Sequence, residues 1–136
     1  MFKSLNVYRL MGWCSVFLGF SIIFGALGSH ALTRILSEQK LEVFNKANHY
    51  LSIQSIGILV LLLVNNTTKI QISPASIYSL LSGTLIFCIS LYMVSFSEME
   101  GLDMFRIFGM VAPAGGLLMI LGWVLAARDF FKEASK

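Results

Sequence analysis

Charged residues fall in clusters along this chain, and the stretches between the clusters are long and apolar. No Asp, Glu, Lys or Arg occurs between Arg9 and Arg34, between Lys46 and Lys69, between Lys69 and Glu98, or between Arg106 and Arg128. Each gap can hold the roughly 20 apolar residues that a helix needs to cross a hydrocarbon core about 30 Å thick. The pattern predicts one domain over residues 1–136, an all-α polytopic membrane protein with four transmembrane helices in an up-down bundle. The expected spans are residues 10–29, 50–64, 75–96 and 107–127. A membrane barrel would show alternating segments of about ten residues, whereas these runs are apolar on all sides. A soluble globule would need polar residues on its wet faces every turn or two.

The connections carry their own signals. Between His30 and Tyr50, Leu32, Ile35, Leu36, Leu41, Val43, Phe44 and Ala47 alternate with Arg34, Glu38, Lys40, Glu42 and Lys46. This amphipathic pattern predicts a helical segment between the first two spans, lying along the interface and then rising into span two. Ser37 followed by Glu38 reads as its start, an N-cap oxygen with an acid in the first turn. Asn65, Asn66, Thr67 and Thr68 suit a short turn, and Pro74 suits the start of span three, because a first-turn residue has no helical partner for an amide hydrogen. In span one the small residues Ser15 and Gly19, and then Ser21, Gly25 and Ser29, are expected to let a neighbouring backbone approach. Pro113, Gly115 and Gly116 in span four are candidates for the same role. Lys3 and Arg9, the apolar stretch, and Ser29 and Ala31 around His30 also resemble a signal peptide with its cleavage site. The apolar stretch is long for one, and an uncleaved first helix is the expectation.

With 57% hydrophobic and 12% charged residues, little of the chain is left to solvate a globule. The net charge of +3 is explained first by loop sidedness, and there is no basic stripe with interleaved aromatics to suggest a nucleic-acid partner. Lys3, Arg9, Lys69, Arg128, Lys132 and Lys136 share one side of an up-down bundle, against Arg34, Lys40, Lys46 and Arg106 on the other. That balance places both termini in the cytoplasm and the chain in the inner, or plasma, membrane.

The same topology gathers polar residues toward the external side. His30, His49, Tyr50, Gln54, Ser90 and Tyr92 form the candidate cluster, and polar groups at membrane depth usually face the bundle interior or a wet cavity. One reading is a small pocket binding a head group, a polar solute or a proton. Its structural rival has the same side chains bonding across helices, in which case His30→Ala and Tyr92→Phe should each cost about 1 kcal/mol. The inventory argues against catalysis. Two His without an intramembrane carboxylate or clustered thiols fall short of a zinc site. Both His sit near helix ends, which does not suit a bis-histidine haem. Cys14 and Cys88 are expected at different depths, as unpaired apolar fillers. No metal, cofactor or catalytic residue is therefore assigned.

Gly25-Ala26-Leu27-Gly28-Ser29-His30-Ala31-Leu32, Phe87-Cys88-Ile89-Ser90-Leu91-Tyr92, and Pro113-Ala114-Gly115-Gly116 with Gly122-Trp123 occur in that order. The ordered set resembles the signatures of the YgdD/YwdK-type family of small multi-span inner-membrane proteins, whose biochemical function is not established. The resemblance covers most of the chain from Gly25 to Ala127 and implies an architecture without an activity. Two positions depart from it. Gln54 stands where the family usually has a histidine one turn after the tyrosine of span two, and His49 stands where a basic residue often precedes that tyrosine. An amide at position 54 can still donate and accept hydrogen bonds.

Taken together, the residues predict a non-enzymatic four-span membrane protein whose external-side polar cluster shapes a helix-packing core and is the candidate site for membrane lipid or a small solute. The alternative is a small transporter or channel component acting as a homo-oligomer, since one four-helix bundle has little interior of its own.

Overall fold

A computed structural model describes residues 6–135; Lys3 and Lys136, which enter the charge count above, lie outside the described residues. Four helices are long and apolar enough to cross a membrane, and their polar main-chain groups are paired within each helix, as a hydrocarbon surrounding requires. Helix α1 spans Val7–His30 and starts at Asn6, whose side-chain oxygen accepts from the Arg9 amide at 3.1 Å. A 3₁₀ turn, Leu32–Arg34, leads out of it with Leu32 and Leu36 buried.

Helix α2 runs Glu38–Thr67, capped by the Ser37 hydroxyl as the Ser-Glu pair predicted. The amphipathic stretch is helical, but it is continuous with the second span and has no break at Tyr50. Physically this follows from a stretch with no Pro and only Gly57 to interrupt it. Its 30 residues rise about 45 Å. The charged first turns therefore lengthen the second span instead of forming a separate interfacial helix.

Ser73 caps α3, Pro74–Ser95, with Pro74 in the first turn as the sequence predicted. The following loop turns at Gly101, the one residue among those described with a positive φ, +80°. Residues Asp103–Met110 then wind as a 3₁₀ helix, and α4, Ala112–Ala134, begins after Ile107. Pro113 explains the late start. Inside an α-helix it would remove one hydrogen bond and clash with the preceding turn, whereas in the first turn of α4 it does neither.

Consecutive helices pack side by side in chain order, and α3 with α4 is the most extensive pairing. Three glycines set its closeness. A Cβ on Gly83 would lie 2.7 Å from the Met119 backbone nitrogen, one on Gly115 would lie 2.6 Å from that of Phe87, and one on Gly122 would lie 2.6 Å from Leu80 Cγ. Backbone therefore meets backbone, which strengthens dispersion where lipid tails supply no hydrophobic drive. The Ser76 hydroxyl adds a buried hydrogen bond to the Gly122 carbonyl across this seam, 2.8 Å long.

Helix α1 is the least buried of the four. It rests on α2 through Cys14, Ser21 and Gly28, spaced seven apart on one face. A Cβ on Gly28 would come within 2.9 Å of Asn45 Oδ1. The largest core cluster, Cys14, Ile58, Leu61, Leu62, Ile72, Ile77, Leu80 and Ala126, lies in the half of the bundle that holds the α2–α3 connection. A second, aromatic cluster occupies the other half.

Candidate functional site

The structure distributes the six polar candidates over separate environments. His30 ends α1 and is exposed; His49 is exposed on α2, its ring edge-on to that of Tyr50. Tyr50 also packs edge-to-face on Phe87 of α3, with ring centroids 5.0 Å apart. Gln54 is buried and accepts the Trp123 indole Nε1–H at 3.0 Å, linking α2 to α4. Trp123 reaches Gln54 by lying over Gly57, where a Cβ would stand 2.8 Å from the indole. The Ser90 hydroxyl is buried and returns to Ile86 O in its own helix. The Tyr92 hydroxyl donates to Asn48 Oδ1 at 3.3 Å. Two interhelical pairs thus emerge, Gln54 with Trp123 and Tyr92 with Asn48, while the two His rings face outward.

The packing candidates also divide. Gly115 lies in the α3–α4 seam, whereas a Cβ on Gly116 would make only an ordinary contact with the Phe87 ring, at 3.9 Å. A Cβ on Gly25 would lie 3.3 Å from the Asn48 amide nitrogen. Ser29 is exposed and bonds Gly25 O within its own helix, and Pro113 is exposed in the first turn of α4. Gly83, Gly122 and Gly28, which were not singled out for packing from the sequence, join Gly115 in approaches under 3 Å.

Beside Tyr92, the rings of Phe24, Phe44 and Phe96 assemble with centroids 5.0–6.1 Å apart. These rings wall a lateral cleft of about 430 Å³ between α1, α2 and α3, continued along the helices by Phe17, Phe20, Leu85 and Ile89. Its lining is apolar apart from the Cys88 thiol and the Tyr92 hydroxyl. The Cys88 thiol is turned to the Ala47 carbonyl, 3.4 Å away, and the Tyr92 hydroxyl to Asn48. The cleft therefore offers dispersion contacts and almost no hydrogen-bonding capacity, which suits a hydrocarbon chain and not a polar solute.

Charged side chains secure both ends of α3. Lys40 Nζ donates to Val94 O at 3.0 Å and to Ser97 Oγ at 2.9 Å, reaching the last turn of α3, where Val94 O also accepts the Ser97 amide and hydroxyl. At the opposite end Asp129 Oδ2 accepts the Ser73 amide at 2.7 Å, and its Oδ1 is held by Arg128 Nη2 at 3.0 Å. Asn65 Oδ1 accepts the Ile72 amide at 3.0 Å and fixes the same connection. Among the described residues no three His, Cys, Asp or Glu side chains come together as a metal site.

The sequence pattern of the family described as "Protein of unknown function (DUF423)" matches residues 24–116. The chain belongs to the DUF423 family. That match takes in Phe24, Phe44, Phe96, Gln54, Tyr92, Gly83 and Gly115, but not Phe17, Phe20, Trp123 or Asp129. This DUF423 member is 32% identical to the UPF0382 membrane protein SH2409 of Staphylococcus haemolyticus, over 79% of this chain and 83% of that one. It is 34% identical to SERP0230 of Staphylococcus epidermidis over 81% and 84%, and 32% identical to SSP2132 of Staphylococcus saprophyticus over 79% and 84%. Both of these are also named UPF0382 membrane proteins. No solved structure gives a significant match. Together with its four apolar helices, these likenesses make this DUF423 protein a multi-pass integral membrane protein of a family without an assigned function.

Proposed function

We propose that this protein is a non-catalytic lipid-binding membrane protein that holds one acyl chain in the cleft between α1 and α3. The cleft carries the proposal, with its wall of Phe24, Phe44, Tyr92 and Phe96 and its near absence of hydrogen-bonding groups. Aromatic faces and branched side chains give a flexible chain many weak contacts, each about 0.1–0.2 kcal/mol, without demanding a particular head group. Tyr92, its hydroxyl turned to Asn48, forms part of the wall, and exposed His30 stands at the end of α1, where a head group at the interface would be met. The Lys and Arg balance supports an inner-membrane orientation with the α2–α3 connection and both ends of the chain cytoplasmic, which puts the aromatic half of the cleft in the outer leaflet.

The test is lipid retention. Leu27 and Ile89 line the cleft while remaining partly exposed, so Leu27→Trp with Ile89→Trp fills it from its open side. Native mass spectrometry of protein supplied with phosphatidylcholine alone should find a lipid adduct on the unaltered chain and should lose it in the filled variant at unchanged thermal stability. Equal retention by both would overturn the reading.

A second reading, a transporter or channel component acting as a homo-oligomer, draws on α1. Gly12 and Gly19 on its outward side have nothing within 4 Å, leaving room for another helix. A monomeric mass in detergent, with liposomes that stay tight to ions and small solutes, would dispose of it.

A further inference from the structure

Where α4 leaves the apolar zone, it meets the α2–α3 connection around a polar hollow of about 480 Å³. Lys69, Arg128 and Lys132 supply three cations to its lining, against the carboxylates of Asp129 and Glu133. Asp129 is already committed to the Ser73 amide and to Arg128. Lys69 and Lys132 make no ion pair among the described residues, so the hollow presents an excess of positive charge to a ligand. It does not end at its rim. A second groove runs back along α4 between Val124 and Ser135, and the two share Arg128 and Lys132. Val124 and Phe131 in that groove are 58% and 74% exposed, about 10 Å apart along the helix.

We infer that this end of the bundle binds an anionic phospholipid, its phosphate held by Lys69, Arg128 and Lys132 and one acyl chain laid along Val124 and Phe131. The charge and the depth agree. Anionic phosphates lie at the boundary where apolar helix gives way to polar, and cations near that surface attract them. Phe131 lies level with the cations and Val124 about one turn deeper than Arg128, an apolar path that a free phosphate would not need. Arg128 keeps donors to spare, since its contacts to Asp129 use Nε and Nη2 and leave Nη1. This site is remote from the cleft and discriminates by head group, which the cleft does not.

The experiment uses the full chain in nanodiscs of phosphatidylcholine with a minor fraction of phosphatidylglycerol, and counts by native mass spectrometry the phosphatidylglycerol bound in excess of its share of the bilayer, the share that the cleft would take. Lys69→Gln with Lys132→Gln should weaken retention of that excess roughly 30-fold, from the usual contribution of each lysine at an anionic surface. Lys69→Arg with Lys132→Arg, which keeps the charge, should preserve it, and Phe131→Ser should weaken it without loss of charge. Both lysines are exposed, so unchanged thermal melting of the variants separates binding from folding. Equal retention of the two lipids, or of phosphatidylglycerol by all variants, would overturn the inference. Displacement of phosphatidylglycerol by inorganic phosphate, with Phe131→Ser silent, would overturn it too, by marking a free-phosphate site.

Discussion

Asp129 Oδ2 lies 2.7 Å from the Ser73 backbone nitrogen, so a carboxylate near the end of α4 caps the beginning of α3. An acid near the C-terminal end of a helix gains nothing from its own macrodipole. Here it is turned to the N-terminal end of the neighbour, where unpaired amides and the positive dipole end both favour it. Asp129→Ala should therefore lower stability by about 2 kcal/mol, the scale of a charge-assisted hydrogen bond with its donor left unmet. Asp129→Asn, which keeps an acceptor, should lose less. Thermal unfolding in detergent, followed by circular dichroism, measures both, and an Ala variant as stable as the unaltered chain would remove the cap from the account.

Lys40 repeats the arrangement with the signs reversed. It stands in the first turn of α2, an unfavourable place for a cation, and contacts the carbonyl end of α3. Lys40→Met keeps the aliphatic stem and removes the donor. It should cost about 1 kcal/mol, and the loss should add to that of Asp129→Ala because the two sites lie at opposite ends of α3. Unfolding of the single and double variants gives the sum directly.

These two residues show what the sequence could and could not reveal. Helix number, the cap at Ser37 and the place of Pro74 were legible because each depends on neighbours a few positions away. The neighbour that Lys40 and Asp129 each serve was not, because it lies at least 54 positions away in the chain. Gln54 and Tyr92 were identifiable as polar groups inside apolar runs. Their partners Trp123 and Asn48 are 69 and 44 positions away, and which helix face meets which is decided by packing. His30 illustrates the converse: position near a helix end drew attention to a ring that faces outward. The cleft was not legible at all, since Phe24, Phe44 and Phe96 are ordinary apolar residues until three helices bring them together.

The glycines of the α3–α4 seam are separable from those elsewhere. Gly115→Val would force a side chain into the Phe87 backbone, and Gly83→Val would do the same at Met119, so each should destabilise by about 3 kcal/mol, the upper range for overpacking. Gly12→Ala meets open space and Gly116→Ala an ordinary contact, and neither should measurably lower stability. If all four variants melt alike, the close approach of α3 and α4 does not hold in the membrane protein.

His30 and Tyr92 can be compared by the same assay. Tyr92→Phe removes the bond to Asn48 and should cost about 1 kcal/mol, while His30→Ala should leave stability unchanged because its exposed ring bonds to no described residue. A loss for His30→Ala equal to that for Tyr92→Phe would show that the ring has a structural partner.

The Gln54–Trp123 bond admits the sharpest energetic test, because both partners are named and one of them is buried. Trp123→Phe removes the one N–H among the described residues that reaches Gln54 Oε1 and leaves that oxygen without its partner, at a cost of about 1–2 kcal/mol beyond the lost ring area. Gln54→Leu removes the acceptor and strands the indole donor in the same way. With both replaced, neither polar group remains to be stranded, so the double variant should be more stable than the sum of the single losses implies. The sign of that coupling is the point of the measurement. A coupling near zero would mean that Trp123 holds α2 to α4 through its contact with Gly57 alone, and the stability of the Trp123→Phe variant would then follow ring size and not hydrogen bonding.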